Sequence, residues 1–307
     1  MNVELFALLE QTIKKGSVLT FEPMKNHTTF KVGGEADVFV TPGSIEEAEE
    51  VIRLLCVKKE TFCILGNGSN VLVSDNGIKG IVICLEKGCD GIECKDNIIT
   101  AQAGALLSTI SKVAKDHSLK GLEFASGIPG SLGGAVFMNA GAYGGEMSQV
   151  VKSVKMIDLD TGNMVIFSGE DMQFSYRHSI AKEKRYAILE AKIILSEGDP
   201  EDILKTMNSL NQKRREKQPL EYPSAGSTFK RPEGYFAGKL IEDAGLSGYT
   251  VGGAQVSEKH CGFVINRGDA TASDIIQLIK DVRNAVMDKF GVELQPEVCM
   301  LGEDIQL

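Results

Sequence analysis

The sequence predicts an α+β protein that is rich in short strands. Two observations indicate this class. Segments whose apolar residues recur at helical spacing, such as Val3 to Lys15, alternate with short apolar runs typical of strands, such as Phe62 to Leu65. Turn sequences in which Gly, Asn and Asp predominate separate the runs, for example Asp75-Asn76-Gly77.

The helical segments begin and end at recognisable residues. Ser44 followed by Glu47 predicts a capping box. Asp199-Pro200 places an N-cap before a proline in the first turn, and Thr271 or Ser273 is expected to cap the last helix. The predicted helices are Val3 to Lys15, Ser44 to about Lys58, Leu106 to His117, Asp199 to about Lys217, Tyr235 to Ala244, and Ser273 to Phe290.

The strands are predicted from short apolar runs between these helices. The first strands and helix form a β-α-β unit that ends in the loop Gly66-Asn67-Gly68-Ser69-Asn70, where an α/β sheet usually binds a ligand. The predicted strands are Ala36 to Val40, Phe62 to Leu65, several between Val71 and Gln102, Val150 to Asp158, Met164 to Phe167, Ala187 to Leu195, and short ones near Ala254, Phe263 to Asn266, Glu293 and Val298.

Charge and hydropathy exclude two classes of partner. The net charge is -9 and no basic stripe is present, which argues against nucleic-acid binding. No apolar run is long enough to span a bilayer, and the N-terminus lacks a signal-peptide pattern, so we expect a cytoplasmic protein. The short basic cluster from Lys213 to Lys217 is either a phosphate contact or a solvated helix end.

The seven cysteines do not form a metal motif. Cys84, Cys89 and Cys94 recur every five residues, a spacing that fits no common zinc or iron–sulfur site. We therefore expect reduced thiols and no metal.

The most informative segment is the glycine-rich run from Ser126 to Glu146, in which 7 of 21 residues are Gly. Glycine lets several backbone N–H groups converge on an anion without a β-carbon in the way. A set of tight turns is the ordinary alternative, but the loop Gly66 to Asn70 has a similar composition. Each loop can hold one phosphate of a pyrophosphate, or both can close around it.

Other common sites are not indicated. No Gly-x-Gly-x-x-Gly opens a helix after a strand, and no P-loop sequence occurs. No His-Glu-x-x-His is present, and Ser227 does not lie in a Gly-x-Ser-x-Gly nucleophile elbow, so a hydrolase is not favoured.

Four further segments carry reactive side chains, although each also has an ordinary structural interpretation. They are Tyr176-Arg177-His178-Ser179, Ser224 to Arg231 with Ser227 after a glycine, Lys259-His260, and Gln295-Pro296-Glu297.

Together these motifs resemble a known family. Gly66 to Asn70, Ser126 to Glu146, Phe174 to Ser179, Ala225 to Lys230 and Gln295 to Glu297 occur in the order found in the UDP-N-acetylenolpyruvoylglucosamine reductase family. The resemblance extends from about Asn26 to Leu301. It is to the shorter subtype, which lacks an inserted tyrosine loop over the substrate.

The resemblance implies a two-subdomain FAD-binding fold of the vanillyl-alcohol-oxidase type, residues 1–85 and 86–198, followed by an α+β substrate-binding domain, residues 199–307. It implies non-covalent FAD, since neither His27 nor His117 lies in an attachment motif. The expected FAD-binding residues are Gly66, Asn67, Gly68, Ser69, Asn70, Gly127, Ile128, Pro129, Gly130, Ser131, Gly133, Gly134, Ala135, Asn139 and Gly141.

The resemblance also implies the reaction. NADPH reduces FAD and leaves, and the enolpyruvyl ether of UDP-N-acetylglucosamine enters the same pocket and is reduced to UDP-N-acetylmuramate, a peptidoglycan precursor. Arg177 and a protonated Glu297 would stabilise charge on the substrate, and Ser227 would donate the proton. The expected substrate-binding residues are Tyr176, Lys217, Lys230 and Arg231, and we expect a monomer.

The chain departs from the family pattern at two positions. Many relatives have a basic residue where this chain has Cys299, and Ala where it has Cys261. The first departure puts one contact to the flavin in doubt. Two alternatives remain open: an FAD-dependent oxidase of the same cofactor fold that acts on another substrate, and a regulatory protein that binds flavin or a UDP-sugar.

Overall fold

A computed structural model describes residues 3–303 and 305, and it contains helices and strands in a mixed order. The helices are α1 Val3–Thr12, α2 Ile45–Lys58, α3 Leu107–Asp116, α4 Leu132–Phe137, α5 Ile180–Glu183, α6 Pro200–Lys217, α7 Ala237–Asp243 and α8 Ala272–Phe290. Short 3-10 turns occur at Met24–His27, Glu123–Gly127 and Met147–Gln149.

Most of the strands are short, as the sequence predicts. They are β1 Ser17–Pro23, β2 Glu35–Thr41, β3 Phe62–Leu65, β4 Val71–Val73, β5 Ile78–Cys84, β6 Ile92–Lys95, β7 Ile98–Gln102, β8 Leu119–Lys120, β9 Gly141–Ala142, β10 Gly145–Glu146, β11 Val151–Asp158, β12 Met164–Ser168, β13 Tyr186–Ile194, β14 Ser196–Glu197, β15 Thr250–Val251, β16 Ala254–Val256, β17 Val264–Asn266 and β18 Cys299–Leu301.

The strands pair mainly in antiparallel fashion. The largest sheet has the order β12-β11-β13-β7-β6, and its four neighbouring pairs of strands are all antiparallel. A four-stranded sheet has the order β1-β2-β5-β3, in which β3 and β5 are parallel. A three-stranded sheet joins β15, β16 and β17, and β18 pairs in parallel with β4. The remaining sheets are the two-stranded pairs β10-β9 and β14-β8.

The predicted helix boundaries are largely confirmed, and the caps explain them. Thr271 is the N-cap of α8 and forms a capping box with Asp274. Of the capping box predicted for α2, only the hydrogen bond to the Ser44 side chain is present. Ser44 accepts from Glu47 N at 3.3 Å, but the buried Glu47 carboxylate accepts instead from the backbone N–H groups of Lys14, Lys15 and Gly43, at 2.8 to 2.9 Å. Glu47 therefore ties the start of α2 to the segment after α1.

Two other expectations need correction. The glycine-rich run is not continuous loop, because Leu132–Phe137 form the short helix α4 and the pair β9-β10 follows. No strand lies at Glu293; the last strand among the described residues is Cys299–Leu301, which is held by pairing with β4.

The chain divides into two compact units that are interleaved along the sequence. Unit 1 contains the chain up to Thr20, Val38–Asn67 and Gly80–Lys213. Unit 2 contains Phe21–Asp37, Gly68–Lys79 and the chain from Arg214. The division predicted from the sequence, into residues 1–85, 86–198 and 199–307, stays a prediction.

Each unit has its own hydrophobic core. In unit 1 the five-stranded sheet, α2 and α3 contribute fully buried residues such as Ile52, Ile99 and Ile110. In unit 2 the apolar face of α8, with Leu278 and Val282, packs with residues such as Phe30 and Leu72. No helix among the described residues has the length and apolar character needed to cross a membrane.

Candidate active site

The two glycine-rich loops meet within unit 1. Asn67 Nδ2 donates to the carbonyl of Pro129 at 2.7 Å. Gly66 lies directly against Ser131, since a β-carbon at Gly66 would overlap the Ser131 hydroxyl. The loops are more than 60 residues apart in sequence, so their contact depends on the tertiary fold.

Backbone hydrogen bonds hold the second loop rigidly. Leu107 N donates to Gly130 O at 3.0 Å, and Leu132 N donates to Ala105 O at 2.8 Å. Gly133 N donates to Ala103 O at 2.8 Å, and a β-carbon there would lie 3.0 Å from the Ala103 β-carbon. The glycine at position 133 therefore permits this close packing.

Ser131 is the polar residue most suited to a ligand in this loop. Its side chain is 2% exposed, and its Oγ has no hydrogen-bond partner among the described residues. A buried hydroxyl without a partner is costly, so it indicates a group that the ligand-free chain does not supply. Together with the bare backbone of Gly66 it fits a phosphate or pyrophosphate.

Asn139 has a different environment. It is fully buried, its Nδ2 donates to Ser175 O at 3.0 Å, and its Oδ1 accepts from Ser148 N at 2.9 Å. Ser179 Oγ donates to the carbonyl of Phe137 at 2.7 Å. These bonds attach the segment from Ser175 to Ser179 to the end of α4, and a direct contact between Asn139 and FAD stays a prediction.

Arg177 lies at the tip of a tight turn. Ser175 and His178 exchange backbone hydrogen bonds at 3.1 Å, and Arg177 has φ of +56°. Positive φ is uncommon for a residue with a long side chain and marks a position that its surroundings enforce. The guanidinium approaches Gly141 O at 3.5 Å and lies 5.1 Å from the Tyr176 ring centre. Unit 1 thus brings Arg177 next to the glycine-rich run.

Ser227 and Glu297 lie on paired segments of unit 2. Glu297 N donates to Thr228 O at 2.8 Å, Lys230 N donates to Gln295 O at 2.8 Å, and Phe229 forms a β-bridge with Pro296. The pairing joins residues about 70 apart in sequence. It places the two predicted catalytic residues of unit 2 beside the same bridge.

His260 also lies close to Ser227, and the sequence assigned it no role. A β-carbon on Gly262 would lie 2.9 Å from His260 Cε1 and 3.6 Å from Ser227 Oγ, so the imidazole and the hydroxyl flank the same bare backbone. His260 Nδ1 accepts from Gly262 N at 3.1 Å, which places the proton of the neutral ring on Nε2. The short sequence Lys-His-Cys-Gly-Phe was the only signal that pointed to it.

Burial lowers the pKa of His260, and the nearby Lys217 charge lowers it further, although a backbone hydrogen bond at His260 opposes the shift. Neutral His260 is therefore the favoured form. Lys217 belongs to the same unit as His260 and Ser227.

The remaining predicted substrate residues are spread over a wider surface. Arg231 stacks on Phe236 at 4.0 Å and its Nε donates to Tyr235 O at 3.3 Å. Tyr176 is half exposed. Their contacts with substrate, and the individual FAD contacts of the glycine-rich loops, stay predictions.

Among the described residues, no three His, Cys, Asp or Glu side chains are grouped as a metal ion would need. None of the seven cysteines forms a disulfide within the part of the chain that the structure describes. Burial raises the pKa of the Cys63 thiol to about 11, and chiefly burial raises that of Cys89 to about 12. Protonated thiols of this kind are poor nucleophiles and poor metal ligands.

Comparison with known proteins first identifies the class. A family model described as an FAD binding domain matches residues 36–168. A solved structure of alkyldihydroxyacetonephosphate synthase aligns with 64% of this chain and 41% of its own, at 14% identity and a TM-score of 0.51, a likeness that shows the fold alone. The protein is an FAD-binding flavoprotein with the predicted vanillyl-alcohol-oxidase type of fold, and the unpartnered Ser131 hydroxyl lies within the matched range.

Further matches identify the family. A model described as the C-terminal domain of UDP-N-acetylenolpyruvoylglucosamine reductase matches residues 218–301. The reductase of Caldanaerobacter subterraneus subsp. tengcongensis is 54% identical over 96% of this chain and 97% of its own, and that of Lachnoclostridium phytofermentans is 50% identical over 99% of each. The crystal structure of the Thermus caldophilus reductase has 32% identity and a TM-score of 0.79, covering 93% of this chain and 98% of that one. The chain belongs to the UDP-N-acetylenolpyruvoylglucosamine reductase family.

Proposed function

We propose that this flavoenzyme reduces the enolpyruvyl ether of UDP-N-acetylglucosamine to UDP-N-acetylmuramate with NADPH as the electron donor. The observation that carries the proposal is the pairing of the Ser227 segment with the Glu297 segment. That pairing supports the proposal because it brings the backbone of Ser227 and the backbone of Glu297 beside one β-bridge, and the addition of a proton to a polarised double bond requires an acid.

FAD, when bound, supplies the hydride for the vinyl carbon of the substrate. The chain's part is to hold the cofactor through the two loops that meet at Asn67 and Pro129. Backbone N–H groups of these loops and the Ser131 hydroxyl are suited to its diphosphate. The fixed positions of these groups cost no reorganisation when the cofactor binds.

Ser227 donates the proton that completes the reduction. Hydride addition to the terminal vinyl carbon leaves negative charge on the neighbouring carbon and its carboxylate, and the proton from Ser227 Oγ then forms the new C–H bond. A serine hydroxyl is a weak acid, so the nearby cation Lys230 assists in stabilising its conjugate base. Solvent then restores the proton.

Arg177 and Glu297 stabilise the charge that develops on the substrate. Arg177 acts as a permanent cation, since the guanidinium does not lose its proton in proteins. Glu297 acts in its protonated form as a hydrogen-bond donor to the carboxylate. Lys217 and Arg231 bind the diphosphate of the nucleotide, and Tyr176 contributes to substrate binding.

A test follows the flavin absorbance under anaerobic conditions. The purified holoenzyme is expected to be yellow, to bleach on addition of NADPH, and to regain its absorbance on addition of the enolpyruvyl nucleotide. A folded protein that takes up no FAD would contradict the proposal. If the band returned with O2 alone and the nucleotide had no effect, the oxidase alternative would gain support.

We further propose that the enzyme acts as a monomer in the cytoplasm.

A further inference from the structure

Thr29 lies between two segments of unit 2 that the sequence does not connect. Its backbone N–H donates to Gly68 O at 3.1 Å, and its hydroxyl donates to Ser224 O at 2.7 Å while lying 3.5 Å from Gly68 O. Gly68 begins the part of the predicted cofactor loop that belongs to unit 2, and Ser224 precedes Ser227 by three residues. One side chain thus joins the cofactor loop to the segment of the proton donor.

The contact of Gly68 with this region is close. Gly68 has φ of +57°, and a β-carbon there would overlap the carbonyl of His27. Asn266 strengthens the same junction, because its Nδ2 donates to Phe30 O at 3.1 Å and its N–H donates to Pro223 O at 2.9 Å. The backbone around Thr29 is therefore fixed on both sides.

Asn70, at the other end of the loop, makes the corresponding connection to Glu297. Asn70 Nδ2 donates to Glu297 O at 3.3 Å, and Asn70 O accepts from Cys299 N at 3.0 Å. The parallel pairing of β4 with β18 begins immediately after these bonds, with Val71 opposite Cys299. Asn70 therefore aligns the cofactor loop with the backbone of Glu297.

Thr228 links the segment of Ser227 to the segment of Glu297 through hydrogen bonds. Its carbonyl accepts from Glu297 N at 2.8 Å, its N–H donates to Gly262 O at 2.8 Å, and its hydroxyl accepts from Val264 N at 2.9 Å. Thr228 is 1% exposed. The hydrogen bonds thus form a closed frame from Gly68 through Thr29 to the Ser227 segment, then through Glu297 back to Asn70.

We propose that Thr29 and Asn70 are positioning residues that fix Ser227 and Glu297 relative to the cofactor loop Gly68–Asn70. The frame couples the loop to the proton donor and the carboxyl, so both stay aligned for protonation of the substrate. The proposal rests on the proposed function. Because reduction of FAD by NADPH requires no proton from Ser227, loss of the frame affects only the step in which the nucleotide is reduced.

The decisive variant is Thr29→Val in the holoenzyme, which removes the hydroxyl and keeps both the shape of the side chain and the backbone bond to Gly68. Small displacements of catalytic groups have large kinetic effects, so we expect substrate-dependent reoxidation of the flavin to slow by about tenfold. Reduction by NADPH and the Kd for FAD, measured by flavin fluorescence, are expected to change by less than about twofold. Thr29→Ser, which restores the donor, is expected to restore the rate.

Thr28→Val is the matched control. Thr28 is the neighbouring residue, and its hydroxyl donates to Val32 O at 3.1 Å, within its own loop. We expect this variant to lower stability without separating the two half-reactions. Asn70→Asp is a second variant, which keeps the side-chain size and removes the donor to Glu297 O. Asn70 is also a predicted FAD-binding residue, so the Kd for FAD is expected to rise in this variant. At saturating FAD, the ratio of the rate of nucleotide-dependent reoxidation to the rate of reduction by NADPH is expected to fall, as in Thr29→Val.

Equal slowing of both half-reactions in Thr29→Val, or a lower FAD affinity that accounts for the slowing, would show that Thr29 only maintains the structure. Unchanged reoxidation in both Thr29→Val and Asn70→Asp would overturn the proposal. If Thr29→Val did not fold, Asn70→Asp alone would decide between these outcomes. Failure of the proposed function would look different, because the wild-type flavin would then not respond to the nucleotide.

Discussion

The imidazole of His260 accepts a hydrogen bond from the backbone N–H of Gly262 at 3.1 Å, and the bare α-carbon of Gly262 separates the ring from the Ser227 hydroxyl. A side chain at position 262 would enter this space. The absence of a β-carbon at Gly262 therefore leaves room for both the His260 ring and the Ser227 hydroxyl.

Gly262→Ala is expected to reduce the nucleotide half-reaction strongly. The new methyl group would lie 2.9 Å from His260 Cε1, a distance that forces the ring or the backbone to move, and 3.6 Å from Ser227 Oγ. A shift of this kind is expected to slow reoxidation by at least about tenfold. Position 262 does not have a positive φ, so backbone strain does not contribute.

Gly91→Ala is the control, since the three atoms nearest to its β-carbon would all belong to the flexible end of the Gln102 side chain. Stopped-flow absorbance compares the two variants. A Gly262→Ala enzyme that reoxidises at the wild-type rate would show that the space beside Ser227 is not needed.

Ser227→Ala is expected to leave reduction of the flavin by NADPH intact and to slow its reoxidation by the nucleotide by about three orders of magnitude, in the range found for loss of a general acid. The measurement is the rate of each half-reaction at saturating ligand. Equal losses in both half-reactions would instead assign Ser227 a structural role.

Ser131→Ala is expected to weaken FAD binding without lowering the stability of the apoprotein. The hydroxyl has no partner among the described residues, so its removal is expected to leave the apoprotein as stable as before, or more stable by about 1 kcal/mol. The same change removes the proposed donor to the FAD diphosphate, so the Kd for FAD is expected to rise by about tenfold, consistent with one hydrogen bond to a charged group. Urea unfolding of apoprotein and fluorescence titration with FAD measure the two effects.

The comparison variant for Ser131 is Ser111→Ala. Ser111 is equally buried, but its hydroxyl bonds to Leu107 O and Leu122 O at 2.8 and 3.1 Å. It should lose stability without an effect on FAD affinity. An apoprotein clearly destabilised by Ser131→Ala, with unchanged affinity, would contradict the cofactor role.

The pH dependence of the unfolding free energy is expected to reflect the protonation of His260. Burial, with a further contribution from Lys217, lowers its pKa below the ordinary value of 6.5, so the unfolded chain binds a proton more readily than the folded protein. Stability is therefore fully present above pH 6.5 and declines as the pH falls from there toward the folded pKa. His260→Asn, which cannot take up the proton, is expected to show a shallower decline in unfolding free energy between about pH 6.5 and 5. If the unfolding free energy fell equally steeply with pH in the wild type and in His260→Asn, His260 would not be the source of the decline.

Local signals in the sequence predicted most of the secondary structure, because caps and apolar periodicity act over a few residues. Thr271 at the start of α8 is one example, and Asp199 before α6, whose carboxylate accepts from Glu201 N at 2.7 Å, is another. Glu47 shows the limit of such signals. Its spacing from Ser44 matches a capping box, but its carboxylate bonds to Lys14, Lys15 and Gly43, because folding buries it beside their backbone N–H groups.

The sequence by itself determined the family, the FAD-binding class and the residues proposed for catalysis, since these depend on motifs of a few adjacent side chains in a set order. Only the tertiary structure decided that Asn67 reaches Pro129, that the Ser227 and Glu297 segments pair, and that His260 lies beside Ser227. Such contacts join residues between about 30 and 70 positions apart. They arise from strand pairing and core packing, which bring segments together without leaving a local pattern in either one.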